Sequence, residues 1–477
     1  MKNQSPLHLP EGIERRNFLK GLIATGTMAP LASFPFIVRG GETSPNGKVN
    51  LACVGIGNRG AEIIREFHKT GLANIVALCD VDMGAKHTEP ILKQFPDAPR
   101  FQDFRKMFDK MAGQIDAVCI GTPDFSHFPI SMLAMSLGKH VFVEKPMSHT
   151  FKQVDLMMAG EKKYKVACQM GNQGHSGANY FQFEAWTKAG IIRDVTRITA
   201  FMNNPRRWHG KTFDDYLPAE PIPDTMDWDG WLSTAREHPY NKGYINGEWR
   251  SWFDFGNGAL GDWGAHIIDT AHRFLNLGLP TVVEATHTKG HSRFVFPQES
   301  TLLFKFPARG EMPPVELSWY DGQRNLPPLP ANFGQAVVDA DIPPPSTGQI
   351  DTKRNPPGKV IYGGDLVFKG GSHSSTLELL HSEKARDIRS KLPQVPRSPS
   401  NHFLNFLRAC KGEEKCRSSF DIAGPLCQAM ELGIIAQQVD ARLEFDLNTR
   451  RITNHNFANE LLDGPPPRKD WEEFYRL

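Results

Sequence analysis

Residues 49–60 read VNLACVGIGNRG, a short apolar run followed by three glycines spaced as GxGxxG. The apolar run is typical of a buried strand in a parallel sheet. Gly55 permits a tight turn, Gly57 lets a pyrophosphate approach the backbone, and Gly60 lets the next helix pack close to the strand. That helix, predicted from Arg59 onwards, would direct its first N–H groups at the pyrophosphate. The stretch therefore predicts the first strand, turn and helix of a dinucleotide-binding domain.

A second apolar run, residues 75–79, ends in Asp80, which lies about 20 residues after the last glycine. A carboxylate at this position binds a ribose 2′-hydroxyl and repels the 2′-phosphate of NADP. No arginine directly follows Asp80 to hold such a phosphate. The sequence therefore predicts NAD as the cofactor.

Two more strand patterns, residues 116–120 and 140–143, are separated by a helical pattern over residues 126–137. Alternation of strands and helices at this spacing predicts an α/β fold with a doubly wound parallel sheet. Ligands bind beyond the carboxyl ends of such strands. Two polar tripeptides follow those ends, TPD at residues 122–124 and EKP at residues 144–146.

The whole chain of 477 residues carries 55 Lys and Arg against 53 Asp and Glu, a formal net charge of +2. No overall positive field attracts nucleic acid or anionic lipid, so neither is expected as a partner. The length corresponds to two or three domains.

The seven cysteines lack CxxC spacing, and most are expected to be small buried side chains. His287 and His291 have no further ligand near them in sequence, so no metal site is expected.

The N-terminal residues contain Arg15 and Arg16, followed by an uncharged stretch over residues 21–37. This pattern resembles a twin-arginine signal peptide, and its apolar part is too weak and too short for a membrane span. The twin-arginine route carries folded proteins. We therefore expect a periplasmic or otherwise exported protein that loads its cofactor before export and has no membrane span when mature.

The second half of the chain adds WDGWL at residues 228–232, WRSW at 249–252 and GDWGAHIID at 261–269. Together with GxGxxG and EKP, these motifs resemble the Gfo/Idh/MocA oxidoreductase family, in the bacterial branch that carries export signals. The resemblance implies a Rossmann domain followed by a C-terminal α/β domain. That second domain has an open, mostly antiparallel sheet, which often forms the interface of a homo-oligomer. The expected divisions are a signal peptide (1–36), a linker (37–48), the Rossmann domain (49–172), a substrate and oligomerisation domain (173–445) and a C-terminal tail (446–477).

The glycine turn, the strand ends and the resemblance together nominate a set of cofactor-binding residues. They are Gly55, Gly57, Asn58, Arg59, Gly60, Asp80, Thr122, Pro123, His127, Glu144, Lys145, Asn172 and Gln173.

Asp262 and His266 are four residues apart, so on a helix they share one face. In the family, such a pair and the lysine of EKP, here Lys145, surround a substrate hydroxyl beside the nicotinamide. His266 is predicted to accept the hydroxyl proton, and Lys145 to stabilise the oxygen as its charge develops. Asp262 has two open roles: it binds an adjacent hydroxyl, or it holds His266 in the useful tautomer.

Candidate substrate contacts come from aromatic and polar loops, because aromatic faces flanked by hydrogen-bonding groups suit a polyol ring. They are His175, Arg206, Trp208, Tyr240, Trp319 and Tyr320. Residues 325–357, which are rich in proline, are expected to form a loop over the site or against a neighbouring subunit.

The predicted function is hydride transfer to NAD from a hydroxyl of a small-molecule carbohydrate. An exported enzyme has no evident NAD pool, which favours a tightly bound cofactor and a redox-neutral cycle. Related NAD-dependent glycosidases oxidise a ring carbon, eliminate across the neighbouring C–H, add water and return the hydride. Such a cycle needs a second base, for which Tyr180, Tyr240, Tyr320 and His175 are candidates. The alternatives are a plain sugar dehydrogenase that forms a keto-sugar, and a non-enzymatic sugar-binding or sensor protein.

Overall fold

The computed structural model describes residues 47–203, 211–330, 333, 336–337, 357–380 and 382–477. The expected signal peptide, most of the linker, Arg206, Trp208 and the greater part of the proline-rich loop lie outside these residues.

A parallel sheet forms the first half of the described chain. Its strands are β1 Val49–Val54, β2 Ala73–Cys79, β3 Arg100–Phe101, β4 Ala117–Ile120, β5 His140–Val143 and β6 Cys168–Met170. They are connected by α1 Asn58–Lys69, α2 Glu89–Gln94, α3 Phe104–Met111, α4 His127–Ser136 and α5 Phe151–Tyr164. The strand order β3-β2-β1-β4-β5-β6 places the reversal of winding between β1 and β4, where ligands bind in such sheets. The predicted doubly wound parallel sheet is confirmed.

The apolar composition of these strands follows from their position between helices. β1 is hydrogen-bonded on both sides, with Leu51 level with Ile75 of β2 and with Ala117 of β4. Side chains on both faces of such a strand are covered, so a continuous apolar run is stable there and an alternating one is not required. Residues 51–54 of β1 are accordingly all buried.

A ten-stranded sheet forms the second half. Its strands are β7 Val195–Met202, β8 Val282–Lys289, β9 Glu299–Phe306, β10 Val315–Asp321, β11 Ala336–Val337, β12 Gly358–Gly363, β13 Leu366–Gly370, β14 Leu377–Leu380, β15 Arg442–Asp446 and β16 Arg451–Ile452. Every pairing in it is antiparallel except that of β7 with β10, which is parallel. The predicted open, mostly antiparallel sheet is confirmed.

The remaining helices cover this sheet and join it to the first half. They are α6 Ala178–Lys188, α7 Trp228–Leu232, α8 Gly258–Ile267, α9 Asp269–Phe274, α10 Glu383–Ile388, α11 His402–Cys410, α12 Phe420–Val439 and α13 Asn456–Asp463. Short 3₁₀ turns occur at Ala112–Gln114, Asp124–Ser126, Gln173–Ser176, Lys242–Tyr244, Glu248–Ser251, Arg389–Lys391 and Glu472–Tyr475. α8 packs on β7 and β10, whereas α12 packs on β8 and β9 and also on α5 of the first half. α12 therefore ties the two halves into one body.

The segment expected as a C-terminal tail is a packed part of the fold. Trp471 and Phe474 are buried against Phe104 of α3, at ring-centroid distances of 6.1 and 5.9 Å. Gln153 Nε2 donates a hydrogen bond to Tyr475 Oη at 2.8 Å. The end of the chain thus covers the helical face of the Rossmann sheet.

All seven cysteines lie among the described residues, whereas the uncharged stretch over residues 21–37 lies outside them. All seven cysteines are free thiols, and five of them are buried. No described helix is long and apolar enough to cross a membrane. No group of three or more potential metal ligands occurs among the residues that the structure describes.

His402, at the start of α11, is a buried neutral imidazole between the two halves. Its Nε2 lies 2.8 Å from the carbonyl oxygen of Met170, and its Nδ1 lies 3.0 Å from Ser176 Oγ. The Nε2–H tautomer satisfies both contacts, because the serine hydroxyl then donates to Nδ1. Burial lowers the pKa of His402 to about 3.

We expect His402 to destabilise the fold in acid. The unfolded chain binds a proton near pH 6.5 and the folded chain does not, so the free energy of unfolding falls as the pH drops from about 6.5 towards 3. One such group contributes about 1.4 kcal/mol per pH unit in this window. Chemical denaturation at a series of pH values should show a smaller slope of the unfolding free energy against pH in His402→Asn. The decrease should correspond to the uptake of about one proton fewer on unfolding. An unchanged slope would contradict the assignment.

Candidate functional site

A cleft of about 1180 Å³ lies between the two halves, at the carboxyl ends of the Rossmann strands. Pockets for one small ligand usually measure about 300–1,000 Å³, so this cleft is larger than most such pockets. The lining includes Gly55, Gly57, Asn58, Arg59, Asp80, Thr122, Pro123, Glu144, Lys145, Gln173, Asp262 and His266. The structure therefore brings together most of the predicted cofactor residues and all three predicted catalytic residues.

The glycine turn forms one end of the cleft and fits a pyrophosphate. Gly55 has φ +77°, a conformation that favours glycine. A Cβ on Gly57 would lie 2.0 Å from the ring of His87, which packs over it. α1 begins directly after Gly57 without a side-chain cap, so its first N–H groups have no side-chain partner at the helix start. A glycine cradle at the N-terminus of a helix is the arrangement that binds the phosphates of NAD.

Asp80 closes the same end of the cleft. One carboxylate oxygen accepts the N–H of Ile56 at 3.0 Å, and the other accepts the N–H of Asp82 at 3.1 Å. Burial raises the pKa of Asp80. The carboxylate lines the space for a ribose, as predicted. It also fixes the glycine turn, a role that the sequence did not predict.

We expect Asp80→Asn to relax the preference for NAD over NADP. The amide keeps a hydrogen-bond acceptor for the turn and removes the charge that repels a 2′-phosphate. Calorimetric titration of cofactor-free protein should show the ratio of the two dissociation constants shifted towards NADP by about tenfold, or 1.4 kcal/mol. An unchanged ratio would place the adenosine ribose elsewhere.

Glu144 and Arg59 link the EKP motif to the start of α1. Glu144 Oε1 accepts hydrogen bonds from Arg59 Nε at 3.2 Å and from Arg59 Nη2 at 3.0 Å. Glu144 is buried, whereas Arg59 is about one third exposed. The pair therefore anchors the helix that points at the cofactor phosphates.

Lys145 and Asp262 form an ion pair in the middle of the cleft. Lys145 Nζ lies 2.5 Å from Asp262 Oδ1 and donates to the carbonyl oxygen of Asp262 at 2.8 Å. Arg250 Nε lies 4.0 Å from the same carboxylate oxygen. His266 follows one turn later on α8 and lies at the same cleft. Asp262 therefore holds the lysine ammonium group in place, a role that neither of its two predicted alternatives included.

His373 is a functional candidate that the sequence motifs did not reveal. It lies between β13 and β14, its φ is +56°, and its N–H donates to the carbonyl oxygen of His266 at 3.0 Å. The two imidazoles are stacked, with centroids 3.9 Å apart and planes 16° from parallel. No sequence motif marks His373, because its proximity to α8 arises only from the folded sheet.

Asp124 is the second missed candidate. It directly follows Thr122 and Pro123 at the end of β4, and it is one of the residues that line the cleft. Burial raises its pKa to about 7, opposed by the positive charges of Arg250 and Lys145. Its position directly after the end of β4 was the sequence feature that could have identified it as a site residue.

Three predicted cofactor residues lie behind the cleft surface rather than on it. His127 is fully buried, and its ring nitrogens lie 2.9 Å from the carbonyl oxygens of Pro146 and Thr122. Asn172 is buried and accepts a hydrogen bond from the Ser418 hydroxyl. Gly60 is the contact between α1 and the glycine turn. His127 and Asn172 therefore position the cleft loops, a correction to their predicted role as direct cofactor contacts, whereas Gly60 has the helix-packing role predicted for it.

The four described substrate candidates also lie away from the cleft lining. His175 is buried, with Nε2 2.7 Å from Asp269 Oδ1. Trp319 is fully buried in β10 and donates its N–H to Asp321 at 2.9 Å.

Tyr240 packs edge-on against Trp228 at 5.1 Å, and Tyr320 lies near Arg197 and Tyr362. Tyr240 is buried in the core, whereas Tyr320 is half-buried on the opposite face of β10 from Trp319. Among the described residues, Phe104, Trp231 and Trp249 are the phenylalanine and tryptophan side chains that line the cleft.

Comparisons with known proteins agree with this architecture. One family model, the NAD-binding Rossmann fold of the Gfo/Idh/MocA oxidoreductase family, matches residues 49–172. A second, the C-terminal α/β domain of the same oxidoreductase family, matches residues 189–295.

Among curated relatives, the chain is 26% identical over 225 residues to glycosyl hydrolase family 109 protein 2 of Shewanella sp. (strain ANA-3), covering 43% of this chain and 49% of that protein. It is 30% identical over 180 residues to a glycosyl hydrolase family 109 protein of Streptomyces niveus, covering 35% of each. The chain thus spans about half the length, or less, of these curated relatives.

Among solved structures, the WlbA dehydrogenase of Bordetella pertussis, in complex with NADH and UDP-GlcNAcA, has a TM-score of 0.53 at 14% identity, over 84% of this chain and 99% of that chain. The aldose-aldose oxidoreductase of Caulobacter crescentus, complexed with glycerol, has a TM-score of 0.51 at 16% identity, over 83% of this chain and 100% of that chain. At these identities the likeness concerns the fold alone. The chain therefore carries the NAD-binding Rossmann domain and the C-terminal α/β domain of the Gfo/Idh/MocA oxidoreductase family.

Proposed function

We propose that this protein is an NAD-dependent enzyme that acts on a hydroxyl group of a sugar or glycoside and completes a redox-neutral hydrolysis with its cofactor retained. The observation that carries the proposal is the convergence of Lys145, Asp262 and His266 in one cleft with the glycine turn. The glycosyl hydrolase names of the partial relatives support the carbohydrate substrate class and the hydrolytic outcome.

The residues of the cleft divide the chemistry of a carbinol oxidation between them. Bound NAD supplies the acceptor for a hydride and returns that hydride at the end of the cycle. His266 takes the proton of the substrate hydroxyl, since an imidazole is neutral and basic near neutral pH. The ammonium group of Lys145 stabilises the oxygen as its negative charge develops. Asp262 holds that ammonium group at the cleft through its 2.5 Å contact.

A strap from the second half supports retention of the cofactor. Residues 225–227 lie beside the loop that follows β2, where the adenosine end of a dinucleotide binds. Thr225 Oγ1 donates to Asp82 Oδ1 at 2.7 Å, and the N–H of Asp227 donates to the carbonyl oxygen of Val81 at 2.8 Å. These contacts bind the strap across the edge of the cleft, which favours a cofactor that stays bound through the cycle.

A panel of p-nitrophenyl glycosides of neutral sugars tests the function with the protein as purified and no cofactor added. We expect at least one glycoside to release p-nitrophenol and a free sugar of unchanged oxidation state, detected by mass spectrometry. Accumulation of a keto-sugar with reduced nicotinamide would instead establish the plain dehydrogenase. Binding of sugars without any chemistry would establish the non-enzymatic sensor, against which the intact trio argues.

Location and assembly are further parts of the proposal. We propose export by the twin-arginine route, supported by Arg15 and Arg16, and a homo-oligomer assembled through the ten-stranded sheet, supported by the family resemblance. Cell fractionation and light scattering test these two points. A chain found unprocessed in the cytoplasm, or a monomer at all concentrations, would contradict them.

A further inference from the structure

We propose that Asp124 is the second acid–base group of the cleft, and that Asn257 and Glu431 position it. The inference rests on the proposed redox-neutral function, which requires a base for the carbon next to the oxidised one. It assigns a role to three residues that lie outside the Lys145, Asp262 and His266 trio.

The geometry joins three separate parts of the fold. Asp124 follows β4, Asn257 immediately precedes α8, and Glu431 lies in the middle of α12. The N–H of Asn257 donates to Asp124 Oδ2 at 3.2 Å, and the side-chain amide of Asn257 donates to Glu431 Oε1. Asn257 thus connects the two carboxyl groups at the start of the helix that carries Asp262 and His266.

Both carboxyl groups are removed from solvent, but only one of them lies at the cleft. Asp124 is 6% exposed and lines the cleft, whereas Glu431 is 3% exposed and lies in the core. A carboxyl group in the core that serves packing alone is costly, because its charged form loses solvation. The burial of Glu431 in the core, where Asn257 links it to Asp124, therefore fits a functional role.

The charges around Asp124 allow it to change protonation near neutral pH. The charged and titratable groups that bear on it are Arg250, Lys145, Asp262 and Glu431. Burial and Asp262 favour the neutral carboxyl group, while the two cations favour the carboxylate, and the pKa of Asp124 rises to about 7. Burial and Asp124 together raise the pKa of Glu431 well above its ordinary value.

The residues suggested by sequence for the second base are less well placed. Tyr180, Tyr240, Tyr320 and His175 all lie outside the described lining of the cleft. Tyr180 packs on His175 at 4.8 Å, and burial raises its pKa, so even less of the phenolate that could accept a proton is present at neutral pH.

The proposed step is balanced in atoms and electrons. Oxidation of one carbinol carbon to a ketone, with bound NAD as the hydride acceptor, would make the C–H of the neighbouring carbon acidic. The Asp124 carboxylate would take that proton, the C–H electron pair would form a carbon–carbon double bond, and the bond to the glycosidic oxygen would break, leaving its electron pair on that oxygen, which takes a proton from water. The hydroxide from that water would add to the freed carbon. Asp124, after exchange of its proton with solvent, would protonate the neighbouring carbon, and return of the hydride would reduce the ketone. The net reaction consumes one water, and NAD is restored.

Two variants and one matched control test the assignment. Asp124→Asn and Glu431→Gln are isosteric and retain an acceptor for the N–H groups of Asn257. Asp155→Asn removes an acid on α5 whose side chain is 40% exposed and pairs with Arg450. Each protein is mixed in D₂O with the p-nitrophenyl glycoside that the wild-type protein hydrolyses. Nicotinamide reduction is followed by absorbance, and deuterium uptake into the recovered sugar by mass spectrometry.

We expect the ratio of deuterium uptake to nicotinamide reduction to fall about 100-fold in Asp124→Asn and to stay unchanged in Asp155→Asn. In Glu431→Gln, the amide oxygen keeps the contact with the side chain of Asn257, and because the raised pKa already holds Glu431 neutral, the pH at which uptake is half-maximal should stay as in the wild type. Infrared difference spectra between acidic and alkaline buffer give a readout independent of turnover. The protonated-carboxyl band that titrates in the wild type should be lost in Asp124→Asn.

Each contrary outcome has a distinct meaning. An unchanged ratio in Asp124→Asn, or a titrating band that persists, overturns the role of Asp124 and leaves the proposed function standing. Nicotinamide reduction without deuterium uptake in the wild type leaves a dehydrogenase and overturns the role. Absence of nicotinamide reduction with every glycoside overturns the function and the role together.

Discussion

Lys145→Ala is expected to lower kcat about 1,000-fold on any glycoside that the wild-type protein hydrolyses. Removal of one donor to a developing oxyanion usually costs about 100- to 1,000-fold, and the variant also releases Asp262 from its 2.5 Å ion pair. A misplaced carboxylate then opposes the negative charge that forms on the substrate oxygen. The effect should fall on kcat more than on KM, because the contact strengthens as charge develops.

The controls separate lost chemistry from lost structure. Lys145→Met retains the aliphatic stem, so it should fold like the wild type and remain equally inactive. Lys110→Ala removes an exposed lysine of α3 and should retain full activity. NAD content after acid denaturation should be similar in all three proteins. Turnover within a few-fold of wild type in Lys145→Ala would overturn the assignment of the catalytic site.

Gly60→Val is expected to abolish cofactor binding and to lower the free energy of unfolding by about 3 kcal/mol or more. A Cβ on Gly60 would lie 1.9 Å from the carbonyl oxygen of Gly55, an atom of the backbone that cannot swing aside. α1 would have to move away from β1, and its N-terminus would no longer point at the pyrophosphate.

Gly113→Ala provides the matched control. A Cβ on Gly113 meets no atom within 4 Å, and the position does not need a positive φ. Its melting temperature and NAD content should match those of the wild type. A Gly60→Val protein that is purified with normal NAD content would contradict the close contact between α1 and the glycine turn.

The parts of the fold and site that depend on neighbouring residues in sequence were predictable. The glycine turn and the strand before it lie within residues 49–60, so local rules were enough to place them. The shared helix face of Asp262 and His266 followed from their spacing, whereas the catalytic role of Lys145 beside them came from the family resemblance.

The contacts that depend on distant parts of the chain were not predictable from local rules. The contact between Lys145 and Asp262 spans 117 residues, and it gives the aspartate a role that spacing alone did not suggest. His373 meets His266 only because the second sheet folds over α8. The network of Asp124, Asn257 and Glu431 likewise joins three elements that are far apart in the chain.

The error over Trp319 has a different origin. β10 alternates buried and more exposed residues, and Trp319 falls on the same buried face as Leu317 and Asp321. A two-residue period in that stretch already predicts an inward-facing tryptophan. The interpretation as a sugar-contacting loop gave the aromatic composition more weight than the period.

The most direct test of the central claim is the number of turnovers per bound NAD in protein that has received no added cofactor or electron acceptor. Protein as purified is freed of loose nucleotide by gel filtration, its NAD is quantified after acid denaturation, and released p-nitrophenol is counted in a parallel sample. A retained cofactor in a redox-neutral cycle predicts many molecules of p-nitrophenol for each NAD. A reaction that stops after one equivalent, with the nicotinamide left reduced, would contradict it.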